Sequence, residues 1–387
     1  MGRTRCSLLV VAALVAGQLG APHAHAQQLA GISDFDDGSL TAFTITAEND
    51  VLFQLGHNMD RNYTGGFAFQ SAGSFVRKGH LDAPLRAIDR LTTFRQWHEA
   101  FPRRYYSLMI VGTGFTPDSL KTTVLLPEDR PYGSIVGISV RRLTVNDKSF
   151  DEAWSSELTL GMLGLHVARN LQTWLHRRIR AHTGKPTPYD PLGWSNQISD
   201  GGEPTALYRV NYERRLLGDL SGPNTRKRWQ LVGGAQGSAG YYTNATLLTS
   251  ARVGWFVSDF WEFTPSATNI ATQNLGGGRR HPPRWELAAF GGLRPRVIAY
   301  NALLQGQFKS NPHEFSAAEI RRLQLEWELG AAAYVPICRA GLQIVWNVYA
   351  GRTAEFDAAE SRTHTWGSIL AVFSIPVKPL GMSGGTP

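Results

Sequence analysis

The chain has 387 residues, a formal net charge of +8 and 18% charged residues. Its two cysteines, Cys6 and Cys338, exclude a disulfide framework and a cysteine-built metal centre once the first is removed with a leader. Beyond the N-terminus no apolar run reaches the ~20 residues that a spanning helix needs, which argues against helical membrane passages.

Arg3 and Arg5 precede an apolar stretch from Leu8 to Ala16, then Ala24-His25-Ala26. A basic segment, an apolar segment and an A-x-A site read as a secretory signal peptide over 1–26, cleaved after Ala26. Losing Arg3 and Arg5 lowers the charge from +8 to +6 (8 − 2). The remaining 27–387 reads as one domain.

The first element of that domain is a strand near 39–47, with Phe43, Ile45 and Ala47 alternating with Thr44 and Thr46. It runs into Glu48-Asn49-Asp50. Asn62-Tyr63-Thr64-Gly65-Gly66 then opens a second strand, 63–72, through Phe67-Ala68-Phe69-Gln70. Carboxylate, amide and hydroxyl oxygens converge at one end of this hairpin, the donor type that calcium and other hard cations take. A plain polar hairpin loop is the other reading, because Asn, Asp and Gly are ordinary turn residues.

An amphipathic helix is expected within Leu81 to Trp97, followed by strands near 105–114, 132–143 and 154–163 and a tight turn at Asn146-Asp147-Lys148. The long segment 164–205 holds a second helix. There Ala168, Leu171, Leu175 and Ile179 recur at spacings of three and four. Gln172 and His176 share one face, while His166 and His182 are expected at the helix ends. Arg177, Arg178 and Arg180 make a basic run that reads either as a solvated face or as a surface for phosphorylated head groups. There is no G-x-S-x-G elbow and no H-E-x-x-H zinc helix.

Further strands are expected near 206–216, 227–237, 243–257, 285–301, 319–335, 341–352 and 364–375. Tyr208, Val210 and Tyr212 alternate with Arg209, Asn211 and Glu213; Leu323, Leu325, Trp327 and Leu329 alternate with Gln324, Glu326 and Glu328. Such alternation suits a soluble sandwich or an outer-membrane barrel. The leader and the number of strands favour a twelve-stranded antiparallel transmembrane β-barrel with a short helix at its outer rim. An even count puts both termini on the periplasmic side. The polar segments 48–62, 115–131 and 164–205 are then connections one, three and five, all at the outer rim.

The chain resembles the outer-membrane lipid A 3'-O-deacylase family. The resemblance rests on Glu48-Asn49-Asp50, Asp60-Arg61 with Tyr63-Thr64-Gly65-Gly66, Asp129-Arg130-Pro131-Tyr132-Gly133, Gln172 with His176, and Gly193-Trp194 with Asn196-Gln197 and Glu203-Pro204. It implies a calcium-dependent hydrolase of the outer membrane that removes the 3'-linked acyloxyacyl chain of lipid A. It implies that Asn49 and Asp50 hold Ca2+ with Thr64 alongside. Gln172 supports the site, His176 is the general base, and Lys121 and Arg130 meet the substrate. Gly164-Leu165 stands where the family often has Gly-Pro, and His182 where one type of member has Glu. The implied partners are lipopolysaccharide and outer-membrane lipid, with no nucleic acid and a single copy of the chain. Two other classes share the barrel pattern: a phospholipase with a Ser–His pair, and a non-enzymatic porin or adhesin.

Overall fold

The structure, a computed structural model, describes residues 40–50, 62–92, 103–146, 148–221, 225–263, 285–337 and 340–374. The leader, most of connection one and the C-terminal tail lie outside the described residues.

Twelve antiparallel strands close into a barrel in which every strand pairs with its sequence neighbours and β1 pairs with β12. They are β1 (Leu40–Asn49), β2 (Asn62–Gly73), β3 (Arg103–Thr116), β4 (Gly133–Val145), β5 (Glu152–Leu163) and β6 (Glu203–Gly218), then β7 (Lys227–Gly240), β8 (Tyr242–Phe256), β9 (Glu286–Asn301), β10 (Leu323–Ile337), β11 (Ala340–Arg352) and β12 (His364–Ser374). Closure leaves no unpaired edge, which a lipid environment demands. No described helix is long and apolar enough to cross a membrane. Helices occupy only the connections: α1 (Phe75–Lys78), α2 (Ala83–Leu91), α3 (Val167–Thr183) and α4 (Ala302–Gln305).

Alternation gives the wall two unlike faces. Ile45, Phe69, Ile110, Ile138, Leu160 and Leu293 are exposed on the outside. Their polar neighbours point into the bore, where they are buried. There Arg141 and Arg209 pair with Glu157 at 2.8 and 3.3 Å, and Arg296 and Arg352 pair with Glu326 at 3.1 and 2.7 Å. Arg294 pairs with Glu328. Removing one member of such a pair would strand a charge away from water.

Both ends of the bore are packed. At the rim formed by odd connections, Leu303 and Leu304 of α4 join Phe315, Ile320 and Phe356 against Tyr63, Phe115 and Trp366. Phe315 stacks on Phe356 with ring centroids 4.4 Å apart. At the other rim, Phe260 and Trp261 pack on Leu143, Val145 and Val232. Connection nine is the element that the sequence left unread. Ile320 forms an isolated bridge with Phe356, so β10 starts at Leu323 rather than near 319.

The helix expected within 81–97 is α2, shorter and on the outer surface of the wall. Asp89 accepts hydrogen bonds from Ser156 Oγ at 3.0 Å and Tyr208 OH at 2.8 Å, and pairs with Arg142 at 2.7 Å. Each lies one residue out of phase with the lumenal Glu157, Arg209 and Arg141, and so faces outward.

Candidate active site

The outward face of β1–β3 at the odd-connection rim carries the first half of the site. Thr44, Thr46 and Glu48 are buried toward the bore, so Asn49 faces out. Its Nδ2 donates to the Thr64 carbonyl at 2.6 Å. A register shift between Tyr63 and Gly65 breaks the alternation of β2, as a bulge does. Tyr63 stays inside, donating from its OH to Glu48 Oε2 at 2.6 Å. Thr64 is turned outward, where its Oγ1 lies 2.7 Å from Thr116 Oγ1. Thr116 is fully buried although it faces away from the bore; something on the outside covers this part of the wall.

The cover comes from connection five. Gly164 turns the chain out of β5 at φ +67, against the Ser199 carbonyl, which an added Cβ would meet at 2.0 Å. Only glycine fits there. The helix α3 follows and ends on left-handed Gly184, whose N–H donates to the Arg180 carbonyl at 2.9 Å. Its inner face seats on β3 at Gly114. A Cβ there would lie 3.2 Å from Ala168 Cβ and 3.7 Å from Trp194 Cη2, so the missing side chain sets the depth of the helix on the wall.

Gln172 and His176 are the two buried residues of α3. Trp194 Nε1 donates to Gln172 Oε1 at 2.9 Å, and the Trp194 ring packs on Tyr132 at 4.9 Å. This fixes the orientation of the amide: Oε1 is occupied, and Nε2 has no hydrogen-bond partner among the described residues. His176 Nδ1 lies 2.6 Å from the Tyr189 carbonyl. A carbonyl only accepts, so Nδ1 carries the proton and Nε2 is the basic nitrogen. Lys121 Nζ lies 3.9 Å over the Tyr189 ring, on the segment that holds the histidine.

Hydrogen bonds and packing thus connect Asn49 to Thr64 and Thr116, and join Gln172 and Trp194 to the same wall at Gly114. His176 follows one turn along, with Lys121 beside its anchor. His166 is the N-cap residue, paired with Asp200 at 3.0 Å, and His182 is exposed in the last turn. Both take the helix-end positions expected of them.

Arg130 does not join this group. It is 1% exposed, pairs with Glu355 at 3.0 Å, and lies 4.2 Å over the Phe115 ring. Phe115 points into the bore, so Arg130 lies on the inner side of the wall, where its charge is committed. The expectation that it meets substrate does not fit this placement. Burial disfavours the charge of Glu355, but Arg352 and Arg130 outweigh it and hold the carboxyl at about 2. The neighbouring Asp129 clamps connections three and eleven together through Arg362 at 3.1 Å.

The residues present fit a hard cation. Asp50 is a fully buried carboxylate that follows Asn49 directly at the end of β1, and the Asn49 side chain is bonded to the Thr64 backbone. All three side chains offer oxygens, the chemistry that calcium selects. No cluster of three or more His, Cys, Asp or Glu occurs among the described residues, so such an ion would rely on neutral oxygens as well.

Sequence reasoning missed Thr116, Gly114 and the Tyr189 carbonyl. A backbone carbonyl has no signature in sequence. Thr116 and Gly114 look like ordinary strand residues until the helix is seen against them. Trp194 was visible in Gly193-Trp194, but its bond to Gln172 was not.

The family described as Outer membrane protein LpxR matches residues 8–375. Among solved structures, LpxR from Salmonella typhimurium is similar at 11% identity, covering 87% of this chain and 100% of that one, with a TM-score of 0.60, which shows the same fold. The β domain of the Bordetella autotransporter BrkA matches at 11% identity over 87% of this chain and 99% of its own, with a TM-score of 0.37. A search of curated proteins found no match. With a closed twelve-stranded wall, an outer-rim helix laid against it and a family match over nearly the whole length, the chain belongs to the LpxR family of outer membrane proteins.

Proposed function

We propose that the protein is a lipid A 3'-O-deacylase that hydrolyses the ester of the 3'-linked acyloxyacyl chain, with His176 as general base. The observation that carries this reading is the buried His176, held by the Tyr189 carbonyl with its basic nitrogen defined, on the helix face that lies against the outer wall. A groove on the outside of a barrel opens to lipid, where a glycolipid substrate resides.

His176 Nε2 takes a proton from water as the water oxygen bonds to the ester carbonyl carbon. The carbonyl oxygen becomes negative and needs donors, and the Gln172 amide is one such group. Collapse breaks the bond to the 3'-oxygen, and the protonated imidazole returns its proton to that oxygen. The products are the sugar hydroxyl and the freed carboxylic acid. Asn49 and Asp50, with Thr64, would hold Ca2+, which supplies positive charge for the developing oxyanion. Lys121 supports the binding of substrate phosphate from beside Tyr189. A porin is disfavoured because the described bore is filled by side chains at both ends.

Purified protein in lipopolysaccharide vesicles, with and without chelator, tests the proposal by mass spectrometry of lipid A. Loss of the 3'-acyloxyacyl mass that chelator prevents supports it. Hydrolysis of phospholipid with lipid A intact, or no hydrolysis by folded protein with calcium present, would overturn it.

A further inference from the structure

The face of α3 that looks away from the site has work of its own. Gln172, His176 and Ala168 occupy one side of the helix. Val167, Leu171 and Trp174 fall on the other, at spacings of four and three, and Arg178 follows four residues on. These three apolar side chains are 42%, 46% and 54% exposed. The Arg178 guanidinium lies 5.7 Å over the Trp174 ring.

The placement of the helix says what this stripe meets. Ala168 packs over Gly114, and Gly114 belongs to the outward-facing phase of β3, the phase of the exposed Ile110. The helix therefore lies on the lipid side of the wall, not over the mouth, and its far face is directed into the surroundings of the barrel. The charges there are unbalanced. Arg177 and Arg180 share Asp190. Arg178, and Lys185 just past the Gly184 cap, have no carboxylate partner among the described residues. An apolar stripe with an aromatic body and unpaired cations matches a surface of phosphorylated lipid, where apolar groups enter the acyl boundary and cations stay among phosphates.

We propose that Val167, Leu171, Trp174, Arg178 and Lys185 form a docking face for the bulk phosphorylated lipid of the outer leaflet, separate from the substrate molecule on the opposite face of the helix. The face holds α3 at the level of the head groups and seats the groove at the depth of the acyl esters.

The test reads lipid contact and needs no turnover, so it stands or falls apart from the deacylase reading. A Trp174→Cys protein in a Cys338→Ser background is labelled with an environment-sensitive dye and placed in nanodiscs of lipopolysaccharide, of anionic phosphatidylglycerol or of neutral phosphatidylcholine. Ser195→Cys, at an exposed position away from the stripe, is the control. The expected result is blue-shifted emission at 174, quenched by lipid spin-labelled near the head group and protected from iodide. The effect should be stronger in the two anionic discs and weakened by Arg178→Glu with Lys185→Glu. Iodide quenching at 174 equal to that at 195 in every lipid would overturn the proposal. So would shielding that appears only when a second copy is present, read as a disulfide cross-link between two unlabelled Trp174→Cys chains. Heat-modifiable migration on gels verifies that each labelled barrel is folded.

Discussion

Enlarging Gly114 tests whether the separation of helix and wall governs turnover. An added Cβ sits 3.2 Å from Ala168 Cβ, while carbon–carbon contacts are best at roughly 3.5–4.0 Å. Alanine at 114 therefore pushes α3 off the wall by roughly 0.3–0.8 Å if the helix moves as a unit. A misplacement of about 1 Å can cost about 10²-fold in rate, so Gly114→Ala should lower kcat by about tenfold. Valine adds two methyls to the same contact and should cost about 10²-fold or more. Ala168→Gly removes the facing Cβ and should restore most of the rate to Gly114→Ala, against a helix-propensity cost of about 1 kcal/mol. The assay is initial deacylation of lipopolysaccharide, followed by mass spectrometry, on protein shown by heat-modifiable migration to be a closed barrel. Wild-type turnover in a folded Gly114→Val protein, or no rescue by Ala168→Gly, would refute the idea that this contact sets the groove.

His176→Ala should lower turnover by about 10²–10⁴ while the barrel still folds; His166→Ala and His182→Ala, at the helix ends, should cost far less. Because the neutral imidazole is the working form, the wild-type rate should rise with pH and then level off, and a rate that falls with pH would count against it. Asp50→Ala should abolish calcium binding by titration calorimetry together with activity, and turnover undiminished by excess chelator would remove the metal from the account. Trp194→Phe deletes the Nε1 donor that orients Gln172 and should reduce kcat by about tenfold with little change in KM, since a buried hydrogen bond is worth about 1–1.5 kcal/mol; an unchanged kcat would mean that the amide orientation is immaterial. Glu355, held at about 2 when folded against about 4.3 in an unfolded chain, contributes stability that is complete above the unfolded value and lost as pH falls toward the folded one. Glu355→Gln should therefore destabilise the folded barrel by about 3–5 kcal/mol near neutrality, with a smaller penalty at pH 3; equal thermal midpoints at neutral pH would remove the pair from the stability account.

The strands were legible because each has to present one apolar and one polar face, and a period of two survives in sequence without knowledge of partners. All twelve were found within a few residues of their observed positions, and α3 was legible for the same reason at a period near 3.6. Connections lacked such a signal. Nothing in Ala302-Leu303-Leu304 shows that it tucks into the mouth, since a short apolar run reads the same in a plug or in a strand end. The candidate site was partly legible: polar residues at the rim could be named, but not the side of the wall each would take. Thr64 changes side through a bulge that its neighbours do not announce. Arg130, after a long loop, lands on the inner side, where Glu355, 225 residues away in sequence, is waiting.

The filled bore bears on the cell as well as on the fold. Glu326, Arg296 and Asn347 inside the bore are each no more than 2% accessible, and apolar clusters pack the two rims. Among the described residues, packed side chains rather than an open channel fill the space inside the wall. Under the proposed function, more copies of the protein would remodel surface glycolipid without adding an open pore through the described residues.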